Sequence, residues 1–116
     1  MDVSFKRHDG YLEILATGEW EPQPVIANID MVKETAEKMN YNNLLLDATT
    51  LALPKTEMTR LLTGEYIAKE LPPPFKIACI TNLASYNRFT ENVAVNRGAQ
   101  FAVFLNHQDA LKWLLG

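Results

Sequence analysis

Apolar and polar positions alternate at the start of the chain, where Val3 and Phe5 interleave with Ser4 and Lys6 before Asp9-Gly10 offers a tight turn. Tyr11 to Thr17 resumes the extended pattern, so the chain is predicted to open on an antiparallel hairpin. Gly18-Glu19-Trp20-Glu21-Pro22 breaks that strand, and the period then changes. Val25, Ile29, Val32, Ala36 and Met39 recur at steps of four and three, one face of an amphipathic helix, with Asp30, Lys33, Glu34, Glu37 and Lys38 on the other face. Three short apolar runs follow: Leu44-Leu45-Leu46, Phe75 to Ile80, and Phe101 to Leu105. Runs without alternation suit strands covered on both faces, as in a parallel sheet. The intervals between them read as helices over Thr56 to Leu71, closed by Pro72-Pro73-Pro74, and over Asn87 to Arg97, closed by Gly98. A last helix spans His107 to Leu115 behind a capping Asn106. The expected fold class is α/β, in the order ββαβαβαβα. It has a single five-stranded, mostly parallel sheet, its antiparallel first strand near an edge, with four helices, and one domain over residues 1–116.

The helix from Thr56 to Leu71 departs from simple amphipathicity. With Met58 set at zero and about 100° per residue, Leu62 and Tyr66 fall near 40° and 80°, and Leu61 and Ala68 near 300° and 280°. Ile67 and Leu71 fall near 180° and 220°, opposite that face. The expectation is therefore a core face through Met58, Leu61, Leu62 and Tyr66, with a second apolar face through Ile67 and Leu71, supplemented by Leu51-Ala52-Leu53 upstream. Gly64 in the middle costs about 1 kcal/mol relative to Ala, so the helix reads as marginal. A second apolar face needs a second partner: a small apolar ligand, a lipid surface or another copy of the chain.

Composition narrows the classes. Hydrophobic residues make up 47% and charged residues 22% of 116, an ordinary globular balance. A net charge of −3 argues against nucleic acid as a partner. The charge is uneven, with 5 basic and 10 acidic side chains over residues 1–58 and 6 basic and 4 acidic over 59–116. No apolar run approaches the roughly 20 residues of a spanning helix, and charges occupy the N-terminal stretch where a signal peptide needs apolar residues, so a cytoplasmic location is expected. The lone Cys79 permits no intrachain disulfide, and its position in an apolar strand predicts an inert thiol. His8 and His107 stand at opposite ends of the chain, which argues against a structural metal site; no cofactor is expected. No nucleophile stands beside an evident base, and the glycines are too isolated to cradle phosphate, so an enzyme is the least favoured class. Arg88 and Glu91, three apart on one helix, read as a surface ion pair.

The element order and several strings resemble the STAS superfamily, and more closely its SpoIIAA-like branch. The strings are Tyr11-Leu12-Glu13-Ile14-Leu15-Ala16-Thr17-Gly18, Leu44-Leu45-Leu46-Asp47, Arg88-Phe89-Thr90-Glu91 with Asn96-Arg97-Gly98, Phe101-Ala102-Val103-Phe104 and Asp109-Ala110-Leu111-Lys112-Trp113-Leu114. The resemblance covers nearly the whole chain and implies a small regulatory or binding domain. In the SpoIIAA-type regulators a Ser in an Asp-Ser-Ser-Gly string is phosphorylated by a partner kinase. Here the corresponding stretch is Pro54-Lys55-Thr56-Glu57-Met58, without that string, so the phospho-switch does not carry across. A more distant resemblance to the CRAL-TRIO lipid-exchange domain implies a lipophilic ligand.

Two candidate sites follow. Asp47, Thr49 and Thr50 after the third expected strand, with Asn82 and Ser85 after the fourth, lie where open α/β sheets bind ligands and could present donors to an anionic headgroup. The plainer alternative is that Thr56, Ser85 and Asn87 cap helices while Asp47 accepts backbone N–H groups. The second site is apolar: Leu53, Thr56, Met58, Leu61, Leu62, Tyr66, Ile67 and Leu71 along the helix. The leading expectation is a non-enzymatic domain that binds a small lipophilic or anionic amphiphile, with peripheral membrane contact or a homodimer as partners of the second face. The rival is a protein–protein module of the anti-sigma-factor antagonist type, its partner docking on Asp47 to Glu57.

Overall fold

A computed structural model describes residues 2–19, 22–52, 56–82 and 89–116. Strands β1 (Asp2–His8) and β2 (Tyr11–Glu19) pair antiparallel through the two-residue turn, Lys6 standing across from Glu13 and His8 across from Tyr11. Gly10 supplies the left-handed residue of that turn at φ 89°, a conformation open to glycine without steric cost. Helix α1 (Pro22–Met39) stops at Asn40, whose φ of 62° turns the chain back while the Tyr41 N–H donates to the Ala36 carbonyl at 2.9 Å. Strand β3 (Asn43–Asp47) runs parallel to β2. A two-residue strand β4 (Leu51–Ala52) pairs with Gly18 and Glu19 of β2, an addition to the expected order. It is too short to show as a period.

Helix α2 (Glu57–Glu70) leads to β5 (Lys76–Ile80), α3 (Phe89–Asn96) to β6 (Gln100–Phe104), and α4 (His107–Leu115) closes the fold. Gly98, at φ 98°, ends α3, with the Ala99 N–H returned to the Ala94 carbonyl at 3.0 Å. The sheet order is β1-β2-β3-β5-β6, with β4 attached to β2. The architecture is the expected α/β one, with one antiparallel pair at the edge and parallel pairing elsewhere.

The core divides by sheet face. Leu12, Ile14, Leu44, Ile77, Phe101 and Val103 pack with Ala36 of α1, Ile67 and Leu71 of α2 and Ala94 of α3. The opposite face carries Leu45, Ala78 and Ile80 against Ala110 and Leu114 of α4. Three crossover helices thus cover one face and one helix covers the other. Lys76 pins α4 down, donating to the Trp113 carbonyl at 2.7 Å with its ammonium 4.6 Å from the indole centroid. Beyond the reach of α4, the second face of β1 and β2 stays open, and Lys6 and Leu15 are exposed there.

The structure reverses the expected faces of α2. Ile67 is 7% and Leu71 4% exposed, both in the main core, whereas Met58 is 64% and Leu62 56% exposed. Thr63, Gly64, Ile67 and Leu71 form the buried stripe, at spacings that share one helix face. The period of a two-faced helix reveals two faces and says nothing about which one meets the sheet. Contact falls on the C-terminal half, so Ile67 and Leu71 decide it, and Met58, in the first turn, is left outside. No helix among the described residues is long and apolar enough to cross a membrane.

Candidate functional site

Asp47 ends β3, and its Oδ1 accepts both the Thr49 N–H at 3.1 Å and the Thr49 hydroxyl at 2.7 Å. This is the plainer of the two expected roles, a carboxylate closing its own turn. The loops after β3 and β5 are tied together by Asn82, whose amide donates to the Thr49 carbonyl at 2.8 Å. Thr50 is exposed, and Thr81, next to Asn82, is 1% exposed with its Oγ1 unpartnered among the described residues. Asp47, Thr49, Thr50 and Asn82 are therefore brought together. Ser85, with Asn87 and Arg88, lies outside the described residues, as does Leu53. Glu91, expected on the surface, instead accepts the backbone N–H of Val103 at 2.9 Å and ties α3 to β6. Nothing in a single-helix period could have shown that.

Thr56 is the N-cap of α2; its Oγ1 accepts the Thr59 N–H at 3.3 Å, beside the Thr59 hydroxyl at 2.8 Å. One turn on, the exposed Met58 and Leu62 give α2 an apolar outer surface. A shallow groove continues it, lined by Leu62, Glu65, Tyr66, Ala68, Lys69 and Arg97, with Arg97 Nε 3.6 Å from Glu65 Oε2. The other flank is fixed to α1, since the Tyr66 hydroxyl donates to Asp30 Oδ1 at 2.7 Å and Lys33 reaches Glu70 at 3.5 Å. The carboxylate that accepts the Tyr66 proton holds the phenol in its neutral form, raising its pKa from 10.0 to about 12. Leu61 is half-buried between the two faces.

Beneath α2 the packing is incomplete. A cavity of about 70 Å³ lies between the sheet and helices α1 and α2. Ile67 and Leu71 line it from α2, Asn28, Ile29 and Val32 from α1, and Ile14 and Leu46 from the sheet. An apolar cavity of about 150 Å³ holds one benzene, so this space is smaller than an aromatic ring and far smaller than an acyl chain. The α1 side of the cavity was not among the expected site residues, because Ile29 and Val32 read in sequence as ordinary core positions. Cys79 is buried with its thiol pushed up to about 12 by desolvation, which keeps it protonated and unreactive.

Neither any protein-family model nor any curated protein sequence matches the chain. Solved structures do. An anti-sigma factor antagonist from Mycobacterium paratuberculosis superposes with a TM-score of 0.67 at 13% identity, over 99% of this chain and 94% of the other. An uncharacterised protein from Shewanella loihica with a SpoIIAA-like fold superposes with a TM-score of 0.58 at 21% identity, over 97% and 92% of the two chains. At these identities the likeness is one of backbone, and it agrees with the strand order and helix placement described above. The chain has the SpoIIAA-like fold.

Proposed function

We propose that this protein is a non-enzymatic regulatory module that binds a protein partner in the manner of the anti-sigma-factor antagonists, through the outer surface of α2 and the segment from Asp47 to Glu57. The observation that carries this reading is the division of labour on α2. Ile67 and Leu71 anchor the helix to the core, and Met58 and Leu62 stand exposed at its N-terminal half beside a groove with charged walls. Exposed large apolar residues rimmed by charge are the usual composition of a protein-binding surface. The backbone likeness to an anti-sigma factor antagonist supports the same class. Thr56 serves as a helix cap and lacks the phospho-acceptor string, so partner binding is not switched by phosphorylation there.

Native mass spectrometry of the chain purified from its own cells tests the proposal. The expected result is a complex with a second protein, lost in the double variant Met58→Asp, Leu62→Asp while the variant's folding is unchanged. Recovery of the chain alone, or of a complex indifferent to that double variant, overturns it. A second reading, a bound apolar ligand, is favoured by the cavity beneath α2, but a space of about 70 Å³ admits one only if α1 and α2 move apart. Its signature in the same spectra is a retained lipid mass.

A further inference from the structure

The open half of the sheet's second face, away from α2, gathers three metal-ligating side chains from elements distant in sequence. Glu13 of β2, Asp47 at the end of β3 and His107 in the first turn of α4 each offer one ligand atom, and the three atoms lie within 4.8 Å of one another. His107 Nε2 stands 3.6 Å from Asp47 Oδ2. Zinc bonds of about 2.0–2.1 Å in tetrahedral geometry set neighbouring ligand atoms about 3.3–3.4 Å apart, so that pair closes on an ion with a shift of a few tenths of an ångström. We propose that Glu13, Asp47 and His107 form a binding site for a divalent transition-metal ion of the Zn²⁺ class, with a remaining coordination position open to solvent.

Three features support the assignment. The ligands come from two adjacent strands and a helix end rather than from mobile loops, so the fold brings them together. Both carboxylates have outer partners that fix their orientation, as ligands of metal sites commonly do. The Thr49 backbone and hydroxyl hold Asp47 Oδ1, leaving Oδ2 toward His107. His8 Nε2 lies 2.6 Å from Glu13 Oε1, and its ring is itself fixed by stacking on Tyr11 at 4.5 Å. Finally, the side chains of Glu13 and Asp47 are only 23% and 13% exposed, so their attraction for a cation held between them is screened less by solvent than it would be on an open surface. The imidazole among the ligands favours zinc, nickel or copper over magnesium or calcium. Lys6, across from Glu13 on β1, is exposed.

Calorimetric titration of the untagged full chain with zinc chloride near neutral pH tests the site. The expected result is saturable binding of one ion per chain, weakened about tenfold or more in His107→Gln and in Glu13→Gln. His107 is 53% exposed, so its variant keeps the fold, which circular dichroism verifies. Cobalt chloride gives an independent reading: a ligand-field absorption band that appears with the wild-type chain and is lost in His107→Gln. Absence of saturable uptake at millimolar zinc, or uptake undiminished in both variants, overturns the proposal and leaves the three residues as ordinary ion pairs.

Discussion

Single side chains in this protein do more through one hydrogen bond than their residue type suggests. Glu91 satisfies the backbone N–H of the buried Val103 from across the α3–β6 contact, a charge-assisted bond. Glu91→Ala leaves that N–H without a partner and should cost about 1–3 kcal/mol in denaturant unfolding, whereas a plain surface glutamate would cost nearly nothing. Thr81 is the opposite case. Its hydroxyl is buried and unpartnered among the described residues, so the isosteric Thr81→Val should leave stability unchanged or raise it by about 1 kcal/mol. A loss instead would show that the hydroxyl has a partner in solution. The thiol of Cys79 and the phenol of Tyr66 both have raised pKa values, the first through burial and the second through the Asp30 hydrogen bond. In each the protonated form is the one that folds better. That stabilisation is complete below the unfolded values of 9.0 and 10.0 and is lost as pH rises through them toward about 12. Urea midpoints should therefore fall between pH 9 and 12, and Cys79→Ala should flatten the slope.

Among the elements, α2 carries the clearest test because its two faces were assigned in the wrong order by the helical wheel. Ile67→Ala should destabilise by about 2–5 kcal/mol, since it enlarges a cavity that already exists, while Leu62→Gln should stay within about 0.5 kcal/mol. Equal costs for the two would contradict the observed packing. Thr56→Ala should cost about 1 kcal/mol through the lost cap on the Thr59 N–H. Asn106, which accepts the Asp109 N–H at 2.8 Å, does the same for α4 and was legible in the sequence, as was the Gly98 stop of α3. Caps and stops are local chemistry, readable within four residues. The face a helix turns inward is not local.

At the scale of the molecule, the sheet has one face covered by three helices and one face that α4 covers only in part. The uncovered part is where β1 and β2 expose Lys6 and Leu15 and where Glu13 and Asp47 meet His107. The covered face has the opposite defect, an underfilled core between the sheet, α1 and α2. Val32→Ile or Val32→Leu, which adds a methylene toward that space, should raise the unfolding midpoint by up to about 1 kcal/mol in free energy, and an overpacked site would show itself as a loss of about 1–3 kcal/mol.

The sequence alone determined the order of the elements, the hairpin at the edge, the parallel sheet, the helix stops and the absence of the Asp-Ser-Ser-Gly string. All of these follow from period, turn chemistry or residue identity over a few positions. Tertiary structure decided which way α2 faces, that Glu91 reaches β6, that β4 adds two residues beside β2, and that a cavity lies under Ile67 and Leu71. It also decided that the two histidines, remote from each other in the chain, each stand beside a carboxylate at one sheet face. Such outcomes depend on which surfaces bury the most apolar area together. That is a property of pairs of elements, and no single segment encodes it.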